Sequence, residues 1–297
     1  MTHPYLAGAR PRVLAHRGLV TPQAAGEGVL ENSIAAFAAA HAAGVTYVET
    51  DARSTSDGVA VLFHDESLER VFGDGRRVGD IRLSELERLF ATRGGLATLS
   101  DALATFPTLR FNVDVKSADA VAPVARAVAA APERVLVTSF DDGRRRATLE
   151  HIRDLAPRHP SSHPTLPAQS AGMGVIARFW LTGLIPVPGL RDAIARRVLA
   201  GIDALQVPER AGVVRLVTRG FVRRAHRAGV EVHVWTVNDT ADMTRLVALG
   251  VDGVVTDRAD RAIAVTSPVR AGSVATPCRP AAAGATSTTC RSRSGTA

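Results

Sequence analysis

The sequence predicts an α/β TIM (β/α)8 barrel: a single domain over residues 1–265, followed by a low-complexity, disordered tail over 266–297. Three observations lead there. Short β-branched runs alternate with Ala-, Leu- and Arg-rich stretches, the pattern of parallel strands joined by helical crossovers. Charged residues collect at the C-terminal ends of those runs, the rim where a barrel carries its site. No glycine-rich loop follows the first run, which disfavours the open doubly wound sheet, the nearest alternative. The 297-residue length suits one such unit.

In chain order, "RVLAH" (12–16) reads as a strand. "NSIAAFAAAHAAG" (32–44) reads as a helix, with Asn32 or Ser33 as N-cap and Gly44 as its stop. "TYVETDA" (46–52) is a strand, and "VAVLFHD" (59–65) follows it after a turn at Asp57-Gly58. Helical patterns at 84–91 and 99–106 precede the strand "RFNVDVKS" (110–117), and a helix at 120–131 precedes "RVLVTSF" (134–140). A helix at 143–156 follows. Three more strands, 203–209, 230–239 and 252–258, are separated by helices around 215–228 and 240–249. That makes seven clear barrel strands, and the Pro/Ser-rich stretch near 165–170 supplies the faint eighth. The apolar, proline-interrupted segment 175–190 reads as a helix packed on the barrel. Its alternatives are a lid or a surface making transient lipid contact.

Composition removes several function classes. No run of eighteen uncharged apolar residues occurs, so no stable membrane insertion is expected. The first residues lack the apolar run of a signal peptide, which points to a cytoplasmic protein. Both cysteines, Cys278 and Cys290, fall in the tail, so the body has no thiolate metal site. The formal charge of +7 falls to +3 once Arg270, Arg279, Arg291 and Arg293 of the tail are set aside. With no basic stripe interleaved with aromatics, nucleic acid is not an expected partner. Lys116 is the only lysine in a chain that otherwise uses arginine, which singles it out as a place where a guanidinium does not fit.

The strand ends hold the chemistry. His16 and Arg17 end the first strand, Glu49 and Asp51 the second, His64 and Asp65 the short run after it, and Asp114 and Lys116 the third. Trp235 stands in the seventh. Strand-end polarity and helix capping account for Asp257, Asn238 and Asp65, but account poorly for the rest as an aligned set. Glu49 and Asp51 are two apart, so they share a strand face, as do Asp114 and Lys116. Carboxylates converging without a counter-charge repel one another. A hard divalent cation, Mg²⁺ or Ca²⁺, would relieve that and prefers oxygen ligands. A purely structural acidic cluster is the alternative. The two histidines suit acid and base roles near neutral pH, and Arg17 and Lys116 suit a phosphate. Together these groups are equipment for metal-assisted phosphodiester cleavage.

The stretches "AHRG" (15–18), "EN" (31–32), "VETDARSTSDGVAVLFHD" (48–65), "NVDVK" (112–116), "VHVWTVND" (232–239) and "GVDGVVTD" (250–257) resemble the glycerophosphodiester phosphodiesterase family over residues 12–265. The resemblance implies a TIM barrel that hydrolyses glycerophosphodiesters to glycerol 3-phosphate and an alcohol. It implies His16 as base and His64 as acid, and Glu49, Asp51 and Asp114 as metal ligands. It further implies Arg17 and Lys116 on the phosphate, Trp235 as an aromatic pocket wall and Glu31 as a polar group at the site. Asp114 departs from the family, many relatives carrying the longer Glu there. Gly18 is expected to let the chain turn and approach substrate. The small-molecule diester is the expected partner. Lysophospholipase D-like action on long-chain substrates and a non-catalytic phosphate-binding barrel are the rival readings.

Overall fold

Parallel pairing carries eight strands into a ring: β1 Arg12–His16, β2 Tyr47–Ser54, β3 Arg110–Val115, β4 Val135–Thr138, β5 Ala168–Gln169, β6 Ala204–Pro208, β7 Glu231–Trp235 and β8 Gly253–Thr256. The structure is a computed structural model that describes residues 3–156 and 165–266. The strand order is β5-β4-β3-β2-β1-β8-β7-β6, and a parallel bridge between Ser170 and Ala204 joins the two ends of that row. This is the predicted TIM barrel. The weak signal near 165–170 has a physical source, because β5 is only two residues long and ring closure, not local β propensity, places it.

Strands covered on both faces must be apolar nearly throughout. Facing inward, Leu14, Tyr47, Leu136, Ala168, Ala204 and Val255 form one buried cluster with Tyr5 and Leu6. Tyr5 and Leu6 belong to a short 3-10 turn, Pro4–Leu6, that plugs the floor of the barrel. A larger cluster lies between strands and helices.

Local chemistry sets the elements that matter for the site. The helix Ile34–Ala42 is capped by Ser33, whose hydroxyl accepts from the Ala36 N–H. Asn32 is left free for another task. Past the barrel rim β2 continues, turns at Asp57-Gly58, and returns antiparallel as Ala60–Leu62, with Ala52 opposite Leu62. Residues 59–65 are thus a hairpin arm and not a barrel strand. A small third core of Val61, Phe63, Leu68, Val78, Ile81, Leu86 and Phe90 supports the excursion that follows.

Segment 175–190 forms two helices, Met173–Leu181 and Pro188–Val198, joined by a 3-10 turn Thr182–Leu184. Pro186 and Pro188 account for the break, since a proline interrupts helical hydrogen bonding. Val175, Ile176 and Phe179 pack inward, while Leu181, Leu184, Val187 and Leu190 are exposed. Among the described residues no helix is long and apolar enough to cross a membrane. The last of the described helices runs Ala259–Thr266, so Thr266 is helical and the remainder of the predicted tail lies outside the described residues.

Candidate active site

Register aligns the polar strand ends. His16 of β1 pairs with Glu49 of β2, which pairs with Asn112 of β3, and one step on Asp51 pairs with Asp114. The period of two then turns Glu49, Asp51, Asn112 and Asp114 into one cavity of about 180 Å³ at the C-terminal mouth. His16, Arg17, His64, Lys116 and Trp235 also line it. Glu31 does not. It bridges Arg17 (2.8 Å) and Arg70 (2.6 Å), so it holds Arg17 in place from behind.

The turn after β1 is tightly constrained. Arg17 has φ +57° and Gly18 φ +88°, the left-handed region that glycine enters without strain. A Cβ at Gly18 would lie 2.8 Å from the Ala36 carbonyl carbon and Cβ. The close approach that requires glycine is therefore to the first turn of the helix 34–42, and not to substrate as the sequence suggested. It seats Leu19 N–H on the Ala36 carbonyl (2.9 Å) and leaves Arg17 pointing at the mouth.

Each histidine is held by a carboxylate. His16 Nδ1 lies 2.6 Å from Asp257 Oδ1, and its Nε2 lies 3.8 Å from Glu49 Oε2. Burial works against the His16 imidazolium, but the Asp257 hydrogen bond and the Glu49 charge outweigh it and raise its pKa, with Arg17 opposing. His64 Nδ1 lies 2.7 Å from Asp65, which is anchored by Arg70 at 2.5 Å. The hairpin brings His64 back over the mouth through the Phe63 N–H bond to the Asp51 carbonyl (2.9 Å). Asp257, Asn238 and Asp65, set aside in the sequence as strand-end polarity, are thus the groups that orient the histidines. Asn238 donates to Asp257 at 2.7 Å.

The acids differ in what they touch. Asp51 is fully engaged: Oδ1 by Lys116 (2.8 Å), Oδ2 by Arg17 (3.0 Å) and by the Asn32 amide (3.1 Å). Burial disfavours its charge, yet Lys116 and Arg17 prevail and hold it below the usual range. Asn32, with φ +59°, accepts from Thr50 Oγ1 (2.6 Å), so its amide is fixed for Asp51. Glu49 Oε2 and Asp114 Oδ1 are buried without a hydrogen-bond partner. Burial, and then Asp51, push the Glu49 carboxyl up to about 8. Burial also raises Asp114, against the pull of Lys116. Lys116 Nζ sits between Asp51 and Asp114 at 2.8 and 2.7 Å. Among the described residues no three His, Cys, Asp or Glu side chains converge in the manner of metal ligands. Glu49, Asp51 and Asp114 share a cavity, but Lys116 occupies the centre of the acid pair.

Phe140 and Met173, which sequence reasoning passed over, line the same cavity. Phe140 meets Trp235 edge to face at 5.9 Å and lies 5.6 Å from Lys116 Nζ. Its only signal in the sequence is a large aromatic directly after a strand-end serine.

The profile of the glycerophosphoryl diester phosphodiesterase family matches residues 16–261. A Mycobacterium tuberculosis protein named probable glycerophosphodiester phosphodiesterase 2 is 37% identical over 250 residues, covering 83% of this chain and 87% of its own. A human lysophospholipase D is 24% identical over 280 residues, 82% of each chain. Among solved structures, an Oleispira antarctica phosphodiesterase in complex with the product sn-glycerol-3-phosphate superposes with TM-score 0.61 at 19% identity. That match covers 86% of this chain and 96% of the other. The Agrobacterium tumefaciens glycerophosphodiester phosphodiesterase superposes at 0.60 and 22%, covering 86% and 98%. The chain belongs to the glycerophosphoryl diester phosphodiesterase family and is a phosphoric diester hydrolase.

Proposed function

We propose that this protein cleaves glycerophosphodiesters to glycerol 3-phosphate and an alcohol, with His16 as base and His64 as acid. The observation that carries the reading is a pair of histidine–carboxylate couples, His16–Asp257 and His64–Asp65, facing one cavity that also holds Arg17 and Lys116. In each couple the Nδ1 contact leaves Nε2 for proton transfer. His16 Nε2 takes the proton of the glycerol 2-hydroxyl as its oxygen bonds to phosphorus. The bond from phosphorus to the alcohol oxygen breaks, and His64 gives that oxygen a proton. A cyclic phosphate results. Water then opens the ring with the roles reversed, and glycerol 3-phosphate leaves. Arg17 offsets phosphoryl charge, and Trp235 and Phe140 wall the organic part of the diester.

Glu49 and Asp114 fit a hard divalent cation, because each keeps a buried oxygen without a partner and burial disfavours their charge. Asp51 would share such an ion with Lys116. When bound, Mg²⁺ or Ca²⁺ would withdraw negative charge from the phosphoryl oxygens.

The half-exposed Phe140 and Met173 at the mouth, and the exposed leucines of helices 173–198, favour one second reading: the same chemistry on long-chain lysophospholipids. Release of glycerol 3-phosphate from glycerophosphocholine, compared with lysophosphatidic acid release from lysophosphatidylcholine, separates the two. Each arm is run with and without EDTA. Hydrolysis of neither diester, with metal supplied, would sink both readings.

A further inference from the structure

A second cavity, of about 260 Å³, opens beside the first, and Lys116 lines both. Its other charged walls are Arg53, Arg77, Arg144, Glu66 and Asp119. Arg53 follows Glu49 and Asp51 in the same strand-face series of β2, so its Cα stands roughly 6–7 Å beyond that of Asp51, on the rim. Cations already placed around the mouth are matched by carboxylates: Arg17 by Glu31 and Asp51, Arg70 by Asp65 and Glu31, Arg77 by Glu66 (2.9 Å), Lys116 by Asp51 and Asp114. Arg53 and Arg144 are different. Arg53 Nε donates to the His64 carbonyl (3.0 Å). Arg144 Nη1 donates to the Val115 carbonyl (3.1 Å) and to Ser139 Oγ (3.3 Å). These acceptors are neutral, and among the described residues neither guanidinium has a carboxylate in ion-pair contact. Two carboxylates stand in the wall: Glu66, which pairs with Arg77 but also favours the Arg53 charge, and Asp119. Both arginines are half-buried, and burial disfavours the Arg53 charge. Two aimed, part-desolvated guanidiniums suit a phosphate, whose oxygens accept their forked N–H groups.

We propose that this cavity binds a second phosphate, carried on the leaving alcohol of the diester. The inference rests on the proposed reaction in one respect: His64 is the acid on the leaving-group side, and Arg53 is bonded to the His64 carbonyl. The preferred substrate is then a glycerophosphodiester whose alcohol is itself phosphorylated, ahead of one with an uncharged alcohol.

The matched probes are glycerophosphoglycerol and bis(glycerophospho)glycerol, which differ by one glycerophosphate on the leaving glycerol. The wild-type protein is expected to favour the second by at least tenfold in kcat/KM, chiefly through KM. Arg53→Gln and, separately, Arg144→Gln are expected to cut that preference at least fivefold. Using two variants guards against Arg53→Gln acting through the His64 carbonyl, since Arg144 does not touch His64. Calorimetric titration of both diesters into His64→Ala protein reads the subsite without turnover. Tighter binding of the doubly charged diester there, lost on adding Arg144→Gln, supports the subsite even where the wild type hydrolyses neither probe, an outcome that would sink the reaction alone. Hydrolysis of both probes with equal kcat/KM and equal affinities overturns the subsite and leaves the reaction standing. A preference unchanged within twofold in both variants overturns it as well.

Discussion

His16 and His64 are alike in their anchorage and differ in their surroundings. His16 is enclosed, with 19% of its side chain exposed against 36% for His64, and it faces Glu49. For acid–base groups, His16→Ala and His64→Ala should each lower kcat by roughly 10²–10⁴-fold while the protein stays folded by circular dichroism. A diester with an acidic leaving group should rescue only the general-acid variant, and rescue of His16→Ala in place of His64→Ala would reverse the assignment. Lys116 makes a sharper test. Its ammonium bonds two carboxylates at once and lies near the Phe140 ring. A planar guanidinium cannot enter between Asp51 and Asp114 without displacing one of them. Lys116→Arg should therefore lose at least about tenfold in kcat/KM, equivalent to roughly 1.4 kcal/mol. Steady-state kinetics within twofold of wild type would remove Lys116 from the site.

At the scale of elements, the turn joining β1 to the helix 34–42 couples packing to the site. It carries Arg17 and Gly18, both at positive φ, against Ala36. Gly18→Ala meets two costs, a left-handed backbone for a residue with a Cβ and a contact of 2.8 Å with main-chain atoms. Together these should destabilise by about 2–4 kcal/mol. Urea denaturation reads the loss, and an unchanged midpoint would mean that the turn relaxes freely. The hairpin arm shows the same economy of position. Because it pairs with β2 beyond the rim, a sequence-local turn at Asp57-Gly58 is enough to bring His64 over Asp51.

Across the whole molecule, the floor of the barrel is held by charge as the mouth is used by it. Arg12 of β1, itself buried, donates to both oxygens of Glu231 on β7 (3.0 and 2.9 Å), and Arg10 and His233 also reach Glu231. Burial works against the Glu231 carboxylate, but His233 and Arg12 outweigh it and hold the pKa at about 2, below its ordinary 4.5. A depressed carboxyl contributes stability that is complete above the unfolded value and is lost as pH falls toward the folded one. Thermal stability should thus decline between pH 4.5 and 2 in part through Glu231. In Glu231→Gln the buried Arg12 loses its counter-charge. That variant should be less stable at pH 7 by about 3–5 kcal/mol and should lack part of the acid-limb slope. Melting curves across pH for both proteins test this, and parallel slopes would assign the acid loss elsewhere.

Strand alternation and strand-end charge are properties of short stretches, so the amino-acid sequence alone determined the barrel, the rim and the pairing of Glu49 with Asp51 and of Asp114 with Lys116 on shared faces. A period of two needs no knowledge of distant residues. Ring closure decided the remainder. His16 meets Asp257, 241 positions away, and Arg12 meets Glu231, 219 positions away, and no local pattern encodes such distances. The same closure made a strand of two residues at Ala168–Gln169. It gave Asn32 to Asp51 and left the helix cap to Ser33. It also put Phe140 beside Trp235 and left Arg53 and Arg144 without carboxylate partners among the described residues. Local pattern places a side chain on a face, but its partner is chosen by whichever strand the closed barrel sets next to it.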